Sequence, residues 1–375
     1  MLKLAKARKA YETYEKCGKN KTLAAKTLGI SRTSFRRYLD FYFVQEETDP
    51  AVISAANDLG ITDLSIIQGG WLKNKEASFR FKMPVEEADL LNTVDALKEG
   101  LSDVVPATYI EPPKKSKEIE QLCAVFPVAD LHIGLMTVEE EVGEDWDSQK
   151  AGVIFQETFG RLVAVTPASG TAILAQLGDL THNDDQSNVT RQSGHQLDVD
   201  SRYFVILRRA VAVMKWAIDA LRKKYRKVIY RGCRGNHDII SHYAVTLALA
   251  EHYRNTDSVE IVDNASEFYV YEFGSCMLAL HHGDKAKPER LVTFIANKWA
   301  EMWGRTKYRL VLSGHIHHDT KKNIGGMVFE SVSTIIPPDA YAFQHGYSAD
   351  RGLVSITLDK KQGEINRARI GVKPK

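Results

Sequence analysis

Cysteine is scarce in this chain of 375 residues, and Cys17, Cys123, Cys233 and Cys276 stand far apart without forming a C-x-x-C pair. That spacing suggests neither a zinc ribbon nor a dense disulfide framework. Three of them fall in or beside apolar runs, where cysteine behaves as a small buried hydrophobe. No apolar run approaches the roughly 18 residues needed to span a bilayer. The start, Met1-Leu2-Lys3-Leu4-Ala5-Lys6, lacks the apolar core of a secretion signal. A cytoplasmic protein with no membrane attachment is expected. No internal repeat is present. A content of 44% hydrophobic and 26% charged residues is that of an ordinary soluble protein, with length enough for two or three domains.

A net charge of +2 conceals an uneven distribution. The first forty residues carry Lys3, Lys6, Arg8, Lys9, Lys16, Lys19, Lys21, Lys26, Arg32, Arg36 and Arg37 against only Glu12, Glu15 and Asp40. Leu4, Ala7, Tyr11 and Tyr14 recur at helical spacing until Gly18-Lys19-Asn20 breaks the pattern. A second helix, Lys21 to Leu28, is expected to end at Gly29, and Ser31 can cap a third from Arg32 to Tyr38 or Phe41. This order of helix, Gly-Ile-Ser turn and basic helix resembles the helix-turn-helix of bacterial DNA-binding proteins, with Ala24, Ala25, Leu28, Ile30, Phe35 and Leu39 as its small core. The resemblance implies a third helix in the major groove, where Arg32, Thr33, Ser34, Arg36 and Arg37 would face DNA. The other reading is a charged helical hairpin used for protein contacts or self-association.

From Phe41 to about Pro113 the charge balance turns acidic. Ser65-Ile66-Ile67 and the run from Ala77 to Met83, separated by Gly69-Gly70 and Trp71, read as a small hairpin, and Val85 to Leu101 has helical periodicity. Glu111-Pro112-Pro113-Lys114-Lys115-Ser116-Lys117 reads as an extended linker. The expected organisation is a helical module over 1–45, an acidic mixed connector over 46–117 that could join two copies into a homo-oligomer, and a large domain over 118–375.

The large domain carries five short polar segments, each after an apolar, strand-like run. They are Asp130-Leu131-His132, Gly178-Asp179, Gly235-Asn236-His237-Asp238, His281-His282-Gly283-Asp284 and Gly314-His315-Ile316-His317. In an open α/β sheet ligands bind at the carboxyl ends of strands, so five such ends would gather these side chains at one edge. A long polar loop, Thr181 to Asp200, and a long amphipathic helix from about Tyr203 to Tyr225 lie between the second and third segments. His182, Arg191, His195 and Arg202, in and just after that loop, make it a candidate substrate surface.

The ordered set D-x-H, G-D, G-N-H-D, H-G and G-H-x-H resembles the calcineurin-like metallophosphoesterases over roughly residues 120 to 360. The resemblance implies an α/β fold, a two-sheet α-β-β-α sandwich, here preceded by the small all-α module and the mixed connector. The short strands after His317 would finish its second sheet. It also implies two divalent ions bridged by Asp179, one held by Asp130, His132 and His317 and the other by Asn236, His282 and His315. Mixed nitrogen and oxygen donors suit Mn²⁺, Fe²⁺ or Zn²⁺ better than Ca²⁺ or Mg²⁺. The family's nucleases point to Mn²⁺. A hydroxide between the ions would attack phosphorus, with His237 as general acid and Asp238 supporting it. His281 and His318 read as strand-end or supporting histidines.

Protein phosphatases of the superfamily show G-D-x-x-D-R-G, where this chain has Gly178-Asp179-Leu180-Thr181-His182-Asn183-Asp184. The missing Asp-Arg pair favours phosphodiesters over monoesters. A DNA nuclease delivered to DNA by its amino-terminal module is therefore the expectation. Two other classes stay open: a small-molecule or nucleotide phosphodiesterase or phosphatase, and a DNA-binding regulator with an inactive phosphoesterase body.

Overall fold

The computed structural model describes residues 2–18, 20–30, 35, 38, 69–73, 78–82, 107–190, 194–346 and 349–373. They divide into two units, Met1–Leu91 and Asn92–Lys375. Among the described residues no helix is long and apolar enough to cross a membrane.

In the first unit, α1 (Leu2–Lys16) and α2 (Lys21–Thr27) are separated by a turn at Gly18. The Asn20 side chain accepts the N–H groups of Thr22 and Leu23, each at 3.1 Å, and so starts α2. Gly29, at φ +65°, ends it. Ala10, Ala24, Ala25 and Phe35 are buried together, with Tyr11, Tyr14, Leu28, Ile30 and Tyr38 packed against them. Phe35 and Tyr38 are helical, whereas Arg32, Thr33, Ser34, Arg36, Arg37 and Leu39 lie outside the described residues. Further along, β1 (Gly69–Lys73) pairs antiparallel with β2 (Ser78–Lys82), Trp71 opposite Arg80. The hairpin is thus shifted from the expected one. Gly69-Gly70-Trp71 belongs to its first strand rather than to its turn, because the ladder runs on through both glycines. The expected helix from Val85 to Leu101 falls outside the described residues.

The second unit is built on strands whose successive residues face two different cores. Its six-stranded sheet runs β13-β12-β3-β4-β5-β6. In chain order these strands are β3 (Leu122–Val128), β4 (Thr171–Gln176), β5 (Lys227–Gly232), β6 (Val259–Ile261), β12 (Gly352–Asp359) and β13 (Gly363–Gly371). The run from β3 to β6 is parallel, and β12 joins β3 antiparallel. A five-stranded sheet runs β10-β11-β9-β8-β7, from β7 (Tyr269–Phe273), β8 (Cys276–Leu280), β9 (Tyr308–Ser313), β10 (Thr320–Ile324) and β11 (Met327–Ser331).

One set of alternating residues, Cys123, Val125, Ile173, Ala175 and Ile229, meets Leu278, Leu280, Leu310 and Leu312 between the sheets. The opposite set, Ala124, Phe126, Ala172, Leu174, Val228 and Tyr230, packs on α4 (Ser148–Val165), α5 (Tyr203–Arg222) and α6 (Ser241–Tyr253). On the far side Met277, Ala279, Val311 and Phe329 pack on α7 (Pro288–Lys298) and α8 (Ala300–Arg305). The layers are therefore helix, sheet, sheet, helix. Two short helices, α3 (Glu139–Val142) and α9 (Ala340–Gln344), lie on the loops.

Two expectations are corrected. Of the strands after His317, β10 and β11 join the five-stranded sheet, whereas β12 and β13 return to the six-stranded one. Ile356 and Leu358 of β12 fill the same inter-sheet core as Val125 of β3, which sets that pairing. The stretch before residue 118 is also held rather than free. Arg222 donates to the Thr108 carbonyl at 2.9 Å, and Arg226 to that of Pro113 at 2.7 Å.

Candidate metal centre

The carboxyl ends of β3, β4 and β5 in one sheet and of β8 and β9 in the other meet, and each carries one of the five polar segments. Asp130, His132 and His317 bring ligand-type atoms within 4.8 Å of one another, as do Asp179, His282 and His315. The Asn236 Oδ1 lies 3.1 Å from His282 Nε2, which is 3.3 Å from the Asp179 carboxylate. His132 Nε2 is 3.8 Å from that carboxylate and 3.3 Å from His317 Nε2. Asp179 therefore stands between the two groups. Asp130 and Asp179 are buried, while His315 is exposed.

The backbone is strained where these side chains leave it. Asp130, His132, Asp179, His315 and His317 all have φ between +41° and +74°. Among the described residues Asn188 is the other non-glycine with positive φ. Left-handed backbone in a non-glycine residue costs on the order of 1–3 kcal/mol and clusters at functional sites. Hydrogen bonds hold it in place: Asp130 N–H to Gly178 O at 3.1 Å, His132 N–H to Asp179 O at 2.9 Å, and His315 N–H to the Asp130 carboxylate at 2.9 Å. Glycine is required beside it. A Cβ at Gly235 would overlap the Asp179 carboxylate, and one at Gly314 would lie 2.6 Å from Asp130 Oδ2.

Two of the imidazoles are oriented from behind by a backbone carbonyl. His282 Nδ1 donates to Leu177 O at 2.8 Å, which turns Nε2 to Asp179 and Asn236. His237 Nδ1 donates to His182 O at 2.8 Å, and ligand-type atoms of His132, His182 and His237 also lie within 4.8 Å of one another. His132 Nδ1 meets His182 Nδ1 at 3.1 Å, and the His182 ring stacks on His237 at 5.4 Å.

Charge explains the protonation of the cluster. Burial and the neighbouring His237 hold His132 well below the ordinary range, and the same causes push His182 down to about 3. Partial removal of its ring from water and the neighbouring His282 also lower His315. Burial opposes protonation of His282 too, but the Asp179 charge outweighs it and raises His282 to about 10. In the same way Asp130 outweighs burial and raises His317. Burial works against ionisation of Asp179, yet His282, His237 and His132 hold it well below the usual carboxylate range. Two buried carboxylates thus draw positive charge to this point, with nitrogen and oxygen donors of the type that borderline divalent metals take. The residues fit such ions.

Not every expected role matches the geometry. Asp238 is fully buried and accepts from Leu180 N–H on Oδ2 at 2.7 Å and from Gly235 N–H on Oδ1 at 2.6 Å. It braces the two loops instead of supporting the His237 ring. Burial and Asp179 raise it to about 8. His281 accepts from Gly283 N–H at 2.9 Å and packs on Phe268, and His318 is exposed with its ring on Ile316 O. Of the loop residues, His182 and His195 line a cavity of about 620 Å³ beside the cluster, whereas Arg202 stands at the start of α5 and does not line it. Arg191 lies outside the described residues.

Sequence reasoning passed over Thr334 and Ser313. Thr334 Oγ1 donates to the Asp130 carbonyl at 2.6 Å, and Ser313 Oγ to the His282 carbonyl at 2.8 Å. Only Ser313 carried a signal, its place just before Gly314.

No protein-family model and no curated protein matches the chain. Among solved structures it is similar to a predicted phosphoesterase of Streptococcus pneumoniae, with 13% identity over 67% of this chain and 98% of that one, at a TM-score of 0.28. Similarity to a zinc-bound Vps29 of Entamoeba histolytica is 12% over 67% and 99%, at a TM-score of 0.28. An archaeal phosphodiesterase is similar at 11% over 66% and 99%, with a TM-score of 0.29. These similarities are low, and the fold and the centre stand on the chain's own strand order and distances.

Proposed function

We propose that the chain is a metal-dependent phosphodiesterase that cleaves DNA and is brought to its substrate by the amino-terminal helical module. The observation that carries this reading is the convergence of buried Asp130 and Asp179 with His132, Asn236, His282, His315 and His317 where the two sheets meet. Asp130, His132 and His317 would hold one divalent ion and Asn236, His282 and His315 the other, with Asp179 shared. Bound there, such ions supply an activated water at neutral pH and draw off the charge that develops on the phosphoryl oxygens.

The chain's own groups do the rest. His237, with Nδ1 tied to the His182 carbonyl, presents Nε2 and can give the leaving oxygen its proton. Asp238 keeps the Gly178-Asp179-Leu180 and Gly235-Asn236 loops together. Where a phosphatase would place an Asp-Arg pair on a dianionic monoester, this chain has His182-Asn183, and the Asn183 amide is spent on the Asp185 carbonyl and Asn188 Oδ1, both at 2.9 Å. The missing pair supports diester chemistry. The basic residues of the first forty positions support DNA as the polymer, and the donor set supports Mn²⁺, with Fe²⁺ or Zn²⁺ as alternatives.

The test is incubation of EDTA-stripped protein, reloaded with Mn²⁺, Fe²⁺ or Zn²⁺, with labelled single- and double-stranded DNA beside nucleotides and phosphopeptides. Metal-dependent DNA cleavage is expected. Turnover of nucleotides or phosphopeptides alone would transfer the chain to small-molecule or phosphatase chemistry. Full metal content with no hydrolysis would make it a DNA-binding regulator.

A further inference from the structure

We infer that the cavity beside His182 seats one uncharged nucleoside, esterified to the phosphate undergoing attack, and turns away a second phosphate. The inference rests on the phosphodiesterase reading and specifies its substrate. His182 is the wall shared by the cavity and the centre. Its Nδ1 contacts His132, its ring stacks on His237, and it also lines the cavity. An ester group on a phosphate at the centre would enter here.

The walls are built. The Met136 N–H donates to the Asp198 carbonyl at 3.1 Å, Leu135 bridges Val199, and Asp339 caps α9 through Ala342 N–H at 2.7 Å. The volume, about 620 Å³, is that of a pocket for one small molecule and not for a duplex.

Its chemistry is selective. Glu141, Asp198 and Asp339 line it with the amides Gln196 and Gln344, and among the described lining residues there is no lysine or arginine. Among the described lining residues a further phosphate would meet three carboxylates with no lysine or arginine to offset them. Amino and hydroxyl groups of a base and sugar would find acceptors instead. Met136 and Val138, 41% and 37% exposed on the same wall, offer an apolar face for the base. A polynucleotide can leave only a terminal nucleoside here, so the geometry points to cleavage at strand ends.

Three diesters that each release p-nitrophenol test this with the full chain and Mn²⁺. They are bis(p-nitrophenyl) phosphate, the p-nitrophenyl ester of thymidine 5′-phosphate, and that nucleotide ester carrying a 3′-phosphate. We expect kcat/KM for the second to exceed both others by about tenfold or more, the scale of discrimination that a few pocket contacts provide. The exposed substitution Asp198→Lys should narrow the gap between the second and third. Hydrolysis of all three at equal rates would overturn the inference while leaving the phosphodiesterase reading intact. So would a gap that Asp198→Lys leaves unchanged. Failure to hydrolyse any diester with metal bound would remove the phosphodiesterase reading and this inference with it.

Discussion

The backbone N–H of His237 donates to the Asp179 Oδ1 at 2.8 Å, across the gap between the loops that follow β4 and β5. Asp238 returns the contact by accepting from Leu180 and Gly235. The two loops are thereby laced in both directions, and the carboxylate proposed to lie between two cations is also a structural acceptor. Asp179→Asn should remove nearly all hydrolysis and at least one equivalent of metal, measured by elemental analysis beside turnover. Two tightly held ions with unimpaired turnover would take the bridging role away from Asp179.

His237→Ala should behave differently in kind. Its ring contacts the His182 carbonyl and faces His132 edge-on at 4.7 Å, without belonging to either proposed ligand group. Metal content should stay normal while turnover falls by roughly 10²- to 10⁴-fold, the usual range for a lost general acid. If metal is lost as well, His237 is a ligand.

Gly235→Ala should damage the centre without changing any polar group. The added carbon would lie 2.5 Å from the Asp179 backbone nitrogen and 2.6 Å from its Cγ, so the loops must part. A stability loss of about 1–3 kcal/mol is expected from such overpacking, together with weakened metal binding. Wild-type metal affinity and melting temperature in this variant would show that the glycine is not needed.

Acid should destabilise the fold through His242. Burial, with the charges of Arg231 and Arg234, pushes this imidazole down to about 4, although its bond to the Ile239 carbonyl opposes them. An unfolded histidine takes up its proton near pH ~6.5. Its contribution to stability is therefore full above about pH 6.5 and is lost as pH falls towards 4, because the unfolded chain binds the proton first. Melting curves in EDTA between pH 7 and 4 should show a shallower decline for His242→Gln than for the unaltered chain. Parallel declines would mean that other groups govern the acid limb.

DNA binding through the amino-terminal module should fall with salt by a slope of about −0.9 for each phosphate neutralised on duplex. Changing Arg32, Arg36 and Arg37 together to alanine should weaken duplex binding and flatten that slope, with hydrolysis of bis(p-nitrophenyl) phosphate nearly unchanged. Binding that stays equally tight and equally salt-dependent would reassign the module to protein contacts.

Much of the centre is legible in the linear chain because each side chain sits directly after an apolar run, and a buried parallel strand must deliver its next residues to the sheet edge. Asp130 after β3, Asp179 after β4, Asn236 after β5, His282 after β8 and His315 after β9 are all found in that way. The helical spacing of Tyr11 and Tyr14, and Gly29 as the end of α2, are local features of the same kind. The positive φ of Asp130, His132, Asp179, His315 and His317 has no local signal, since such strain persists only when the surrounding hydrogen bonds over-determine it.

By itself the sequence determined which residues are available to the centre, the alternation that gives each strand two buried faces, and the basic character of the first forty positions. Tertiary structure alone decided that β12 and β13 return to the six-stranded sheet, since strand order depends on which faces share a core and not on chain neighbourhood. It decided that Asp238 braces two loops rather than the His237 ring, because two backbone N–H groups brought from different strands capture both of its oxygens. It decided, too, that His182 joins the cluster while Arg202 begins a helix. A long polar loop carries no periodicity to say which of its residues will face inward, and packing against His132 and His237 settles that only once the two sheets have met.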